Sequence, residues 1–95
     1  MTDIATGPVA QEIAARLTTA LAPSRLDVIN DSAKHRGHLG DDSSGESHFT
    51  VVVESAAFVG KSRVERQRMV NRALGDLMEQ RVHAMAIRAT APGEA

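Results

Sequence analysis

The stretch SHFTVVVES, Ser47 to Ser55, alternates more cleanly than any other part of the chain. Side chains on a strand point to opposite faces in turn. Phe49, Val51 and Val53 therefore share one face, and His48, Thr50, Val52 and Glu54 share the other. This is a strand with one apolar side, so something apolar must cover that side. The sequence around it has to supply the cover.

Upstream, SRLDVIN (residues 24–30) alternates more weakly: Leu26 and Val28 flank Asp27, and Ile29 blurs the pattern. Between the two strands lies a polar loop, residues 31–47. A connection that long inside a compact domain is uncommon and tends to be functional or disordered. The two strands pair as an antiparallel hairpin with this loop as its tip. Further upstream, Pro8 follows Thr6-Gly7 in a position suited to the first turn of a helix. Val9, Ile13, Leu17 and Leu21 then recur every four residues, an amphipathic helix that closes near Pro23.

Downstream of SHFTVVVES, Ser62 and Glu65 form the S-x-x-E pattern of a capping box, which opens a second helix. Val70, Ala73, Leu74 and Leu77 supply its apolar stripe. Gly75 ends or kinks it, leaving DLMEQ as a short final turn. VHAMAIRA (residues 82–89) reads as the last strand, with His83, Met85 and Ile87 on one face. The predicted order is αββα(α)β. The expected architecture is α+β, a three-stranded sheet with helices on one face, arranged like a type II KH domain. Residues 1–95 are expected to form one domain, with 1–7 and 90–95 as flexible tails.

Composition narrows the function. Cysteine is absent, which excludes disulfides, thiol catalysis and a self-contained thiolate cluster site. The N-terminus lacks the pattern of a secretory signal, no apolar run approaches a membrane span, and a cytoplasmic location is the default expectation. The formal net charge is -1, yet the charges are segregated. Lys61 to Arg72 carries five bases and one acid, whereas Asp27 to Glu54 carries six acids and two bases. A basic face and an acidic face follow, although a charge run can also be a solvated helix flank. FVGKS is no phosphate loop, because G-x-x-x-x-G-K-[ST] requires glycine where Ser55 stands. No Ser/His/Asp set or sheltered carboxylate pair is recognisable, so the chain reads as a non-enzyme.

Three of the four histidines, His35, His38 and His48, lie in or beside the polar loop; His83 lies at the mouth of the last strand. The loop pair can be metal ligands or solvated polar residues. His48 can simply occupy the wet face of its strand. His83 is either satisfied by hydrogen bonds or offered to a partner.

Four segments, NDSAKHRGH, GESHFTVVVES, FVGKSRVERQRMVNRALGDLM and VHAMAI, together resemble the BolA family in order and spacing, from about Leu26 to Ile87. The chain departs from the family's R-H-R triplet, which reads Arg66-Gln67-Arg68 here, and its loop is a few residues longer. The resemblance implies a monothiol glutaredoxin as partner and a [2Fe–2S] cluster shared with it, with one thiolate and glutathione on the partner's side. It implies His83 as the fixed ligand and His35 as the loop ligand, with His38 as the competing choice. It also implies a role in iron–sulfur cluster trafficking or in iron and redox regulation. A monomer is the expectation for the chain alone, although its sequence does not reveal the oligomeric state. Some relatives bind DNA as transcriptional regulators. The corresponding surface would be Lys61, Arg63, Arg66 and Arg68, whose charges would meet phosphates without selecting a base sequence.

Overall fold

The computed structural model describes residues 2–31, 48–80, 82 and 84–94. Among these residues, four strands and three helices follow one another as β1 (Thr2–Ile4), α1 (Pro8–Leu21), β2 (Arg25–Asn30), β3 (His48–Glu54), a 3₁₀ turn (Ala56–Phe58), α2 (Arg63–Leu74), α3 (Leu77–Gln80) and β4 (Ala84–Thr90). The sheet has the order β1-β2-β3-β4. β1 runs parallel to β2, β2 antiparallel to β3, and β3 parallel to β4.

The expected three-stranded sheet is thus corrected to four strands. The added strand lies in the segment read as an N-terminal tail, and Thr2, Asp3 and Ile4 pair with Leu26, Asp27 and Val28. The Asp3 amide also donates to the Asp27 carboxylate at 3.1 Å, and the Ala5 amide to the Val28 carbonyl at 2.9 Å. Asp27 is buried, and Arg25 neutralises it from two residues away, at 2.8 Å. The segment beyond β4, read as the other tail, also makes contacts: Ala91 is buried and Glu94 is paired.

The alternation of β3 holds as read. Phe49, Val51 and Val53 are buried, and the residues between them are half-exposed. The register carries that apolar face across the sheet: Val51 lies opposite Val28 and Ile87, and Val53 opposite Leu26 and Ala89. Val9, Ile13, Leu17 and Leu21 of α1, and Val70 and Leu74 of α2, close the core over this face. Both phenylalanines, Phe49 and Phe58, are within it. Each fully buried side chain of this kind contributes about 1.5–3 kcal/mol relative to exposure. The opposite face of the sheet is uncovered by the described helices. It presents Thr50, Val52, Ala84, Ala86 and Arg88, together with Ile29, which explains why Ile29 breaks the alternation of β2.

Helix ends follow local chemistry. α1 starts at Pro8 and stops at Ala22, a non-glycine residue in the left-handed region (φ 45°) whose amide donates to the Thr18 carbonyl at 3.1 Å. α2 has the expected capping box: the Glu65 amide donates to Ser62 Oγ at 3.1 Å, and the Ser62 amide to Glu65 Oε1 at 3.5 Å. Gly75, at φ 58°, ends it. Arg16 of α1 then donates to the Leu74 carbonyl at 2.5 Å and to Asp76 at 3.2 Å, satisfying a carbonyl that the helix end leaves open.

Ser55 joins four elements. The residue is 1% exposed, and its hydroxyl donates to the Leu21 carbonyl at 2.6 Å and accepts from the Ala57 amide at 3.1 Å. Its own amide donates to the Thr90 carbonyl at 3.0 Å. The ends of α1, β3 and β4 and the start of the 3₁₀ turn are thereby held at one point.

Candidate functional site

Two regions of the surface hold residues singled out by the sequence or the described residues that flank them. They lie at opposite ends of β4.

The first is at the strand's start. The chain leaves β2 at Asn30-Asp31 and returns at His48, and the Asp31 amide donates to the His48 carbonyl at 2.7 Å. The Thr50 hydroxyl donates to the Asp31 carboxylate. His48 is opposite Ala84 in the parallel pairing of β3 with β4. Asp31, His48, Phe49, Ala84, Met85 and Ala86 line a shallow recess of about 360 Å³ here. His35, His38 and His83 lie outside the described residues. The described residues on either side of them, Asp31 and His48 for the loop and Val82 and Ala84 for position 83, belong to this end of the molecule. His48 is half-exposed on the uncovered face. Among the described residues, no three metal-ligating side chains are gathered together.

The second region is at the strand's far end, where Lys61, Arg63, Arg66 and Gln67 of the α2 start face Ile87, Arg88, Ala89 and Thr90 across a groove of about 580 Å³. Gly60, at φ 76°, makes the turn that brings Lys61 here, and the Lys61 amide donates to the Phe58 carbonyl at 3.1 Å. The structure brings together three of the four basic residues expected to act jointly. Arg68 is exposed on α2 but does not line the groove.

Arg66 differs from its neighbours. Its guanidinium meets the Glu94 carboxylate through two parallel bonds of 2.6 and 2.8 Å. It also donates to the carbonyls of Lys61 at 3.0 Å and Ala89 at 3.2 Å, and it lies 5.9 Å from the Phe58 ring centroid. The Arg66 guanidinium and, less strongly, the Ala91 amide hold the Glu94 carboxyl down at about 2. The same pairing raises Arg66 further above its ordinary value. Arg66 is therefore a neutralised clasp between α2 and the end of β4. Lys61, Arg63 and Arg88 are exposed and make no ion pair among the described residues. Arg88 and Gln67 join the groove beyond the basic residues that the sequence points to. Arg88 lies 27 positions from Lys61 and outside the contiguous basic run, so only the fold brings it there.

These features define a class: a small α+β domain with helices on one face of its sheet, a shallow recess at the start of its last strand and a cationic groove at the end. The family model for BolA-like proteins matches residues 17–94, and the chain belongs to that family. BolA-like protein 1 of Mus musculus is 40% identical over 90 residues, which is 95% of this chain and 63% of that protein. A Vibrio cholerae protein named DNA-binding transcriptional regulator BolA is 40% identical over 72 residues, 76% of this chain and 64% of that protein. The chain thus spans somewhat less than two thirds of either relative. Among solved structures, the BolA domain of SufE1 from Arabidopsis thaliana superimposes with a TM-score of 0.84 at 36% identity, covering 96% of this chain and all of that domain.

Proposed function

We propose that this chain pairs with a monothiol glutaredoxin and supplies histidine ligation to a [2Fe–2S] cluster held between them. It acts by binding rather than by catalysis, in iron–sulfur cluster trafficking or in iron and redox regulation. The observation that carries the reading is the convergence at the start of β4. The two flanks of the histidine loop, Asp31 and His48, are joined by a hydrogen bond there, and His48 lies opposite Ala84, the residue after His83. A loop anchored at that point and a ligand at position 83 would belong to one site. The donor chemistry is consistent. With no cysteine, the chain cannot hold such a cluster by thiolates alone, so the thiolates would have to come from the partner. His83 would be the fixed ligand and His35 the loop ligand, with His38 the other choice. Neutral imidazole in place of thiolate removes negative charge from a cluster and raises its potential.

The test is visible circular dichroism of a cluster-loaded monothiol glutaredoxin titrated with this protein and with His83→Ala. The wild type should produce a new spectrum and the variant should not. The new spectrum should fade as pH falls, because a protonated imidazole cannot ligate iron. Identical titrations with the two proteins would refute the reading.

A second reading, DNA binding, is favoured by Lys61, Arg63 and Arg68, which make no ion pair among the described residues, and by the name of the Vibrio cholerae relative. Phosphate contacts by these residues would give binding that weakens steeply with salt. The GXXG loop by which KH domains clamp nucleotides is missing, since Phe58-Val59-Gly60-Lys61 offers one glycine.

A further inference from the structure

We infer that the groove between the start of α2 and β4 is a docking site for an extended acidic peptide segment of a partner protein, which adds to β4 as a short fifth strand. The groove is at the opposite end of β4 from the proposed cluster site, and the inference does not depend on that site.

The lining residues carry the first part of the argument. Ile87, Arg88, Ala89 and Thr90 are consecutive, yet all four line the groove. Alternate side chains of a strand point to opposite faces, so a run of four neighbours is offered only where the strand's edge is approached. β4 is an edge strand in the order β1-β2-β3-β4.

The hydrogen bonds show which backbone groups face outward. The Thr90 carbonyl accepts from the Ser55 amide, so it points into the sheet. The Ala89 carbonyl accepts from Arg66 of α2, so it points out. By the same alternation the amide and carbonyl of Ile87 point out, and no described residue bonds to either on that side. An edge with free amides and carbonyls is the template for strand addition.

Charge selects the kind of strand. Lys61, Arg63 and Arg88 border this edge without a carboxylate partner among the described residues. The chain itself shows the chemistry that satisfies such a cation here. The Glu94 carboxylate grips Arg66 through two bonds and also accepts from the Ala91 amide at 3.0 Å. A carboxylate that binds a cation and a backbone amide together is what an acidic strand would repeat one step along. The groove's apolar lining, Ile87 and Ala89, suits an alternating acidic and aliphatic sequence. No aromatic ring lines it among the described residues, so the stacking platform that holds unpaired bases is missing.

The test uses the full chain and a short fluorescein-labelled peptide alternating glutamate and valine, followed by anisotropy. Binding should saturate, and the amide resonances of Ile87 and Ala89 should move in isotope-labelled protein. N-methylation of alternate peptide amides removes ladder donors and should weaken binding about tenfold or more. Arg88→Glu and Lys61→Glu should each weaken it about five- to tenfold, whereas Arg72→Glu, the same charge change on α2 outside the groove, should alter it less than about twofold. Three results would overturn the inference: undiminished binding of the methylated peptide, equal losses from Arg72→Glu and Arg88→Glu, or displacement of the peptide by a single-stranded DNA oligomer that moves the same amides.

Discussion

Ser55→Ala removes one oxygen atom from the point where four elements meet, and its cost can be worked from the structure. The hydroxyl makes two bonds in a site that is 1% exposed. One, at 2.6 Å, satisfies the Leu21 carbonyl at the end of α1; the other, at 3.1 Å, caps the Ala57 amide. A typical internal hydrogen bond contributes about 1 kcal/mol net, and an acceptor left buried without a partner costs about 1–3 kcal/mol. The expected loss is about 2–3 kcal/mol, since some of the bare carbonyl's cost overlaps with the bond it has lost. For a domain of this size that is a fall in Tm of about 10–20 °C. Urea unfolding followed by far-UV circular dichroism is the assay. The midpoint should fall and the slope should stay constant, because the surface exposed on unfolding is the same. Ser24→Ala is the control. Ser24 also makes a 2.6 Å bond, to Glu54, but it is exposed, and its loss should cost less than about 0.5 kcal/mol. A Ser55→Ala loss below about 1 kcal/mol, or one equal to that of Ser24→Ala, would show that Ser55 does not hold these ends together.

Two further outcomes follow from local geometry. Ala22 ends α1 at φ 45°, a region costing a residue with a side chain about 1–2 kcal/mol, while glycine adds about 0.4–1 kcal/mol of unfolded-chain entropy; Ala22→Gly should therefore raise stability by about 0.5 kcal/mol, and a lower urea midpoint would contradict this. Glu94, held down at about 2 by Arg66, binds fewer protons in the folded chain than in the unfolded one as pH falls below the ordinary carboxylate range. Its contribution should be complete at neutral pH and vanish as pH approaches 2. Glu94→Gln should accordingly melt below the wild type at pH 7, with the gap closing in acid, and an NMR titration of the Glu94 carboxyl with a midpoint at its ordinary value would refute the pairing.

What could be read from the sequence was what is local. The alternation of Phe49, Val51 and Val53, the four-residue recurrence from Val9 to Leu21, and the Ser62–Glu65 box each depend on neighbours within a few positions, and each appears in the structure as read. β1 could not be read in this way. Three residues with one aliphatic side chain carry no period, and the strand exists only because β2 offers it an edge more than twenty positions later. The Arg66–Glu94 clasp spans 28 positions and is equally silent in the sequence. The same reason explains the groove. The run from Lys61 to Arg72 was visible as a basic cluster, but only the fold separates its members. It neutralises Arg66, turns Arg68 away from the groove and brings in Arg88 from another element. In the sequence Ser55 marks only the break in a phosphate-loop pattern, although its hydroxyl is a buried junction.

The strand order of the sheet is also the order in which a ribosome would make it. Each strand, as it emerges, meets a partner already synthesised and adds to an outer margin; none has to be inserted between two that have paired. In that order the newest strand always lies at the margin where the next one pairs. No described strand covers the last margin, along β4. If the inferred peptide docks there, recognition would be a continuation of assembly, with the partner contributing the next strand in a series the nascent chain had begun.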